Sequence, residues 1–422
     1  MVVTARPFGR NYAFVAAGVI FLALLAAAGL RSAPGVLILP LEKAFGWDRG
    51  TISLAAAIGI FLYGLTGPFA AALMQSFGVR RTVTLALVVM AISTGLSMLM
   101  TESWQFIATW GVLAGLGSGS VAMAMGATVV NRWFVERRGL MLGLLSAATA
   151  TGTLVFLPGF AWLAENVGWS AVAALVALVT GLLAPVVWFL LPDRPADIGQ
   201  KPYGAPGDYA PPAGVSGANA LAGAFGALGR AAKTKTFWIL FGTFFVCGLT
   251  TNGLVGTHLI AFCGDMGMPV VSAAGLLALM GVFDLIGTTA SGWLTDRYDP
   301  RKLLFIYYGV RGLSLMALPF INFDIVSLTI FAVFYGLDWI ATVPPTVKLS
   351  VEAFGEADGP IVFGWIAAGH QIGAASAALG AGVWRASQGQ YLEAFVLAGA
   401  IALGAAVASL AVKRVSHTLR HA

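Results

Sequence analysis

"PDRPADIGQKPYGAPGDYAPPAGVSGANALAGAFGALGRAAKTK" (residues 192–235) is the one long stretch of this chain in which proline, glycine and charge displace an apolar background. That composition suits a linker in water, with a short amphipathic helix expected at 219–232. On either side the chain is 59% hydrophobic overall and 10% charged, far below the charged quarter of a soluble domain. Apolar windows of about 20 residues, enough for a helix to cross a roughly 30 Å hydrocarbon core, recur on both sides. Six precede the linker, near 11–38, 51–74, 80–101, 104–128, 138–160 and 168–191. Six follow it, near 236–262, 270–295, 302–321, 325–347, 360–383 and 390–412. The expectation is an all-α membrane protein of twelve transmembrane helices, with six-helix bundles over 1–192 and 236–422 and a linker over 193–235. The first segment is too long for a signal-peptide core and no small-residue cleavage site follows it, so it reads as a retained helix.

The basic residues orient this array. Of 24 Lys and Arg, 19 lie at the termini or in even-numbered connections and three in odd-numbered ones. The remaining two, Arg31 and Arg311, lie within helices. The bias puts both termini and the linker in the cytoplasm, and the protein in a plasma membrane of the bacterial inner-membrane type. It also explains a sequence pI near 9.4 without nucleic acid. Cys247 and Cys263 share the seventh segment 16 residues apart, too far along one helix to bridge. No nucleotide-binding loop, metal-ligand spacing or nucleophile constellation is visible. An enzyme, an ATP-driven pump and a cofactor are therefore all disfavoured.

A shift of 221 residues lays one half on the other without a gap. It brings Gly35 onto Gly256, Arg80 onto Arg301, Arg81 onto Lys302, Gly115-Leu116 onto Gly336-Leu337, Gly143 onto Gly364 and Gly152 onto Gly373. The loop "GWLTDRYDPRK" (292–302) resembles the loop signature of the major facilitator superfamily, G-x-L-x-D-R-x-G-R-[RK]. Its repeat copy "AALMQSFGVRR" (71–81) has Gln75 in the place of Asp296. The resemblance implies a cytoplasmic gate built from Asp296, Arg297, Arg301, Arg80 and Arg81, against a plainer reading of helix-end capping. "PLEKAFGWDRGTIS" (40–53) and "NRWFVERRGLMLGL" (131–144) resemble segments of the branch holding the monocarboxylate transporters and oxalate–formate antiporters. Six-helix halves with a substrate site between them are what that resemblance implies.

Charge inside the helices is unevenly divided. The first half has Arg31, in "LAAAGLRSAPG" (25–35). The second has Asp284, Arg311, Asp338 and His370, with polar Asn252 and Gln371. Intramembrane charges face a protein interior or a water-filled cavity and pair with one another. Arg311 reads as one member of an ion pair with Asp284 or Asp338, leaving the other carboxylate as a candidate proton carrier. His370 falls, by resemblance to the oxalate–formate antiporters, where a lysine needed for anion binding stands. The resemblance also exposes a departure: the monocarboxylate branch carries a substrate-binding arginine four residues after an aspartate of helix 8, and after Asp284 that place is Thr288.

Arg31 is then the first candidate to hold an anion, since a guanidinium fork suits a carboxylate. The alternative is a snorkelling residue, or one capping an unwound turn near Pro34. The 221 shift places Arg31 opposite Asn252, and Tyr63 is the repeat counterpart of Asp284. Helix depth adds Ser118, Ser146 and Thr149 as lining. The expected site is therefore Arg31, His370, Asn252, Tyr63, Thr149 and Gln371. The expected function is secondary transport of a small organic anion, a monocarboxylate for preference, with protons or a counter-anion, by a monomer. Efflux of an amphipathic drug or metabolite, and a non-transporting receptor on the same scaffold, are the competing readings.

Overall fold

The computed structural model describes residues 12–206 and 217–413, and every extended element among them is helical. The first half runs α1 (Tyr12–Phe45), α2 (Arg49–Phe77), α3 (Val79–Ser97), α4 (Ser103–Trp133), α5 (Arg138–Asn166) and α6 (Trp169–Leu190). The second runs α7 (Lys235–Asp265), α8 (Val270–Arg297), α9 (Pro300–Phe320), α10 (Ile325–Gly355), α11 (Asp358–Gln388) and α12 (Leu392–Ser409). Among the described residues, eleven of these helices are long and apolar enough to cross a membrane. The remaining one, α5, has 29 residues.

Short polar residues start the helices where the apolar runs begin. Asp48 accepts the Thr51 N–H (3.0 Å) at the head of α2, and Thr234 accepts the Phe237 N–H (3.2 Å) at the head of α7. Asp324 takes both the Val326 and Ser327 amides at the head of α10. Gly78, at φ +89°, allows α2 to turn directly into α3, a conformation costly for any residue with a β-carbon.

Several boundaries differ from the sequence reading; α10, for one, runs to Gly355, past the expected end at 347. α1 does not unwind near Pro34; it continues through Pro34 and Pro40 to Phe45, some seven residues beyond the expected end at 38. α4 extends past 128 to Trp133 but is interrupted, with a π-helical turn at Ile107–Leu113 and a break at Val121–Ala122.

Packing follows one scheme in both halves. α1 lies on α5, α2 on α4 and α3 on α6; α7 lies on α11, α8 on α10 and α9 on α12. Small residues set the closest approaches. A β-carbon at Gly115 would lie 2.9 Å from Gly59 Cα and 3.1 Å from Leu62 Cβ. One at Gly336 would lie 2.6 Å from the Met280 carbonyl oxygen and 3.0 Å from Phe283 Cβ. Gly152 packs on the Leu25 carbonyl of α1, and Gly373 on the Phe245 carbonyl of α7. The halves meet through α1 with α7, α2 with α11 and α5 with α8. At the first of these crossings Gly35 packs on Gly256, where a β-carbon would come within 3.0 Å of the carbonyl oxygen.

The amphipathic helix expected at 219–232 is present as Gly217–Ala231 and lies against both α2 and α11. Its Ala227 and Ala231 are buried, Phe225 sits on the Trp365 ring (5.2 Å), and Trp365 Nε1–H donates to the Ala224 carbonyl (3.0 Å).

Candidate functional site

Arg31 lies in the interior of α1, half-buried, with its guanidinium carbon 4.2 Å from the centre of the Tyr63 ring on α2. Among the described residues it forms no ion pair with a carboxylate. A cation over an aromatic face is attracted by the ring quadrupole. Gly64, beside Tyr63, packs on Gln371 of α11, which brings that side chain to the same level of the bundle. Asn252 stands one turn before Gly256 on α7, as Arg31 stands one turn before Gly35 on α1, and the two glycines touch. Asn252 is exposed and sits in a π-helical turn, Leu249–Val255. Such turns re-aim side chains and recur at functional positions.

The second arginine is in a different situation. Arg311 is buried, and its Nε–H donates to Asp338 Oδ2 at 2.6 Å. Its remaining donors reach the Asp338 and Trp339 carbonyls (2.5 and 3.2 Å), Cys247 Sγ (3.1 Å) and Thr250 Oγ1 (3.4 Å). The reason lies in the sequence of α10. Pro344 and Pro345 lack N–H groups, so the helix breaks at 339–342 and strands backbone groups that lipid cannot satisfy. Neighbouring groups take them up one by one. The Ile340 carbonyl accepts the Val343 N–H (2.9 Å), the Ala341 carbonyl accepts Ser291 Oγ–H (2.5 Å), and Arg311 covers the two carbonyls before them.

Asp284 completes this repair from α8. Its Oδ1 accepts the Ile340 N–H at 3.0 Å and the Thr288 hydroxyl at 2.9 Å. Of the two carboxylates the sequence offered to Arg311, Asp338 is the ion-pair partner. Asp284 is buried on hydrogen bonds alone, and Thr288, standing where the related branch has arginine, is one of its donors.

His370 is half-buried on α11 with its ring 5.1 Å from that of Phe244, and its backbone carbonyl packs on Gly248 of α7. Cys247, for which the sequence suggested no chemistry, lies 3.2 Å from Thr342 Oγ1 and accepts from Arg311 at 3.1 Å, so it belongs to the Arg311 cluster. Ser118 is not lining: it is buried and turned onto the Gly115 carbonyl of its own helix, 3.3 Å away. Ser146 and Thr149 fall on α5 at positions whose side chains lie outside the described residues.

The residues expected to form a cytoplasmic gate make local contacts instead of joining the halves. Arg301 pairs with Asp299 (2.6 Å), which also accepts the Arg301 N–H and so caps α9, and it donates to the Val412 carbonyl. Asp296 is exposed, and Arg297 folds back over the Trp293 ring. In the first half the acidic role vacated at Gln75 is taken by Asp193, from beyond α6, which accepts the Arg80 N–H at 2.8 Å. The Arg80 guanidinium lies over Trp188, and Arg81 is exposed. The spacing of the motif carried the helix caps; which acid serves them depends on how the next helix ends.

A family model of the Major Facilitator Superfamily matches residues 19–377. The uncharacterized MFS-type transporter YcxA of Bacillus subtilis is 26% identical over 329 residues, covering 75% of this chain and 74% of that protein. Monocarboxylate transporter 13 of Rattus norvegicus is 26% identical over 386 residues, covering 89% and 83%. Among solved structures, an inward-facing, unoccupied bacterial homolog of the human lysosomal transporter Spinster superposes with a TM-score of 0.75 at 15% identity, covering 97% of this chain and all of that one. A D-xylose-proton symporter gives 0.74 at 14% identity, covering 96% and 98%. At these identities the two structures share the fold.

Proposed function

The chain belongs to the Major Facilitator Superfamily and is a multi-pass transporter of the plasma membrane, not an enzyme, and from that premise we propose that it carries a small monocarboxylate anion by alternating access. The observation that carries the reading is the contrast between its two intramembrane arginines. Arg311 is consumed by Asp338 and the broken α10, whereas Arg31 is held on Tyr63 with its charge unanswered by any described carboxylate. A substrate carboxylate supplies the missing partner, with Asn252, Gln371 and His370 as the expected contacts from the second half and Thr149 the expected contribution from α5.

In this reading the layout is twelve transmembrane helices in two six-helix repeats, 1–192 and 236–422, joined by a cytoplasmic linker over 193–235, with both termini cytoplasmic and the protein acting as a monomer. The matched glycine contacts, Gly115 on Gly59 and Gly336 on Met280, support the repeat. Asp284 carries the coupled proton, because Asp338 is already neutralised by Arg311. Asp296, Arg297, Arg301, Arg80 and Arg81 join the halves at the cytoplasmic face in the alternate, outward-open state. The relatives named as monocarboxylate transporters support the choice of cargo over amphipathic drugs.

Uptake of labelled monocarboxylates into proteoliposomes under an imposed proton gradient tests the reading. Losing a bidentate contact of about 3 kcal/mol raises KM roughly 100-fold. Arg31→Ala is expected to do so, while Arg31→Lys recovers part of the loss. Carboxylate uptake unaffected by Arg31→Ala sinks the assignment, and uptake of cationic amphiphiles in its place points to efflux.

A further inference from the structure

A second set of charges, none of it in the site above, gathers where the odd-numbered connections join the helices. Arg49, the first residue of α2, is only 5% exposed. Its Nε–H donates to Glu42 of α1 at 3.0 Å, and its two terminal nitrogens fork onto Asp265, the last residue of α7, at 2.7 and 2.6 Å. Arg385, near the end of α11, donates to the same carboxylate at 2.8 and 3.3 Å. The Tyr391 hydroxyl stands 3.5 Å from Arg49 and 3.1 Å from Nδ1 of the fully buried His258, whose Nε2 lies 2.7 Å from the Ala378 carbonyl. The backbone is closed around this knot. A β-carbon at Gly50 would meet Val383 at 3.3 Å and one at Gly264 would meet Leu39 at 2.6 Å, Gly382 packs on Ser53, and Glu165 of α5 accepts the Val270 N–H of α8.

We propose that Arg49 and Asp265 form the reversible extracytoplasmic gate of the transport cycle, with Glu42 and Arg385 as resident partners that keep each half neutral when it opens. Arg49 and Glu42 belong to the first half; Asp265, Arg385, Tyr391 and His258 belong to the second. Among the described residues, parting the halves at this end breaks the fork between Arg49 and Asp265 and no other ion pair. Arg49 keeps Glu42, and Asp265 keeps Arg385. A buried pair pulled apart without such partners leaves two uncompensated charges, which holds it shut. Here no charge is orphaned in either state, so the strong geometry of a bidentate fork closes the end without locking it. The proposal rests on the transporter reading for the meaning of a gate and is independent of what the cargo is.

Spin labels at Lys43→Cys and Gln388→Cys, exposed positions on opposite halves, report the separation of this end in the full chain in lipid nanodiscs without substrate. Cys247 and Cys263 are buried and stay unlabelled. A short distance is expected to dominate in the otherwise native chain. Asp265→Asn, which removes the negative charge that both arginines share, and Arg49→Gln are each expected to make a longer distance the major population. Glu42→Gln leaves the short one dominant, because Arg49 retains Asp265. If either of the first two purifies folded and keeps the native distance, the gate is elsewhere. Opening by Glu42→Gln as complete as by Asp265→Asn overturns the division of partners. The longer distances appearing in a protein that moves no carboxylate would count against the cargo reading and leave the gate standing.

Discussion

Arg311 and Arg31 show how little a residue's type says about its role before its neighbours are known. Asp338→Asn leaves the Arg311 guanidinium buried with only carbonyls, the Cys247 sulfur and the Thr250 hydroxyl to face, and breaking such a pair costs about 3–5 kcal/mol. A markedly lower thermal midpoint of the purified variant checks this. The double variant Arg311→Met/Asp338→Leu removes both charges, which in a well-packed site is often neutral. Here it is expected to remain destabilised, because the Asp338 and Trp339 carbonyls lose their donor. Recovery to the native midpoint would show that Arg311 does not hold the break in α10. The sequence made the ion pair legible and left its partner open. What it did not express is why the arginine is needed: the freed carbonyls follow from Pro344 and Pro345, but only the folded chain brings α9 and α8 to them. Arg49 and Asp265 were likewise unreadable as a pair, lying 216 residues apart on segments with no charge pattern to connect them.

At the scale of the helices, close approach decides which glycines matter. A β-carbon at Gly336 would sit 2.6 Å from the Met280 carbonyl oxygen, while one at Gly364, equally inside a helix, meets nothing within 4 Å. Gly336→Ala must push α10 off α8 and is expected to cost about 1–3 kcal/mol. Gly364→Ala is expected to be neutral or to stabilise by a few tenths up to about 1 kcal/mol through helix propensity. Parallel thermal melts of the two variants make the comparison, and equal effects would mean that the packing of α8 on α10 yields freely. Helix existence was legible throughout because apolar length is a direct signal in a bilayer. Interruptions were less so: the prolines announce the break in α10, whereas no residue announces the π-helical turns in α4 and α7.

Among the described residues, the halves are also joined outside their helix crossings by the charge cluster at one end and by the linker helix Gly217–Ala231 at the other. The linker helix is fastened by Trp365 through a ring contact and a hydrogen bond to Ala224, and by an exposed Arg230–Asp358 pair (2.6 Å). The exposed pair is worth little. Trp365→Ala is therefore expected to speed amide exchange across 217–231 while leaving α2 and α11 protected, and Arg230→Ala is expected to change neither. Protection of 217–231 unchanged in Trp365→Ala would place the fastening elsewhere. Composition alone marked 192–235 as a linker; that part of it lies folded across α2 and α11 follows from alanines small enough to bury.

The crossing of Gly35 on Gly256 has a consequence for chemistry. Two identical subunits meeting across a twofold axis must present the same residue twice, so the positions one turn away from such a contact would be two arginines or two asparagines. Two arginines there would repel one another; two asparagines would offer no charge. A single chain with matching halves escapes that choice, and this one sets Arg31 against Asn252. Covalent joining of the halves is what lets a single arginine stand one turn from the Gly35–Gly256 crossing with an asparagine in the matching place.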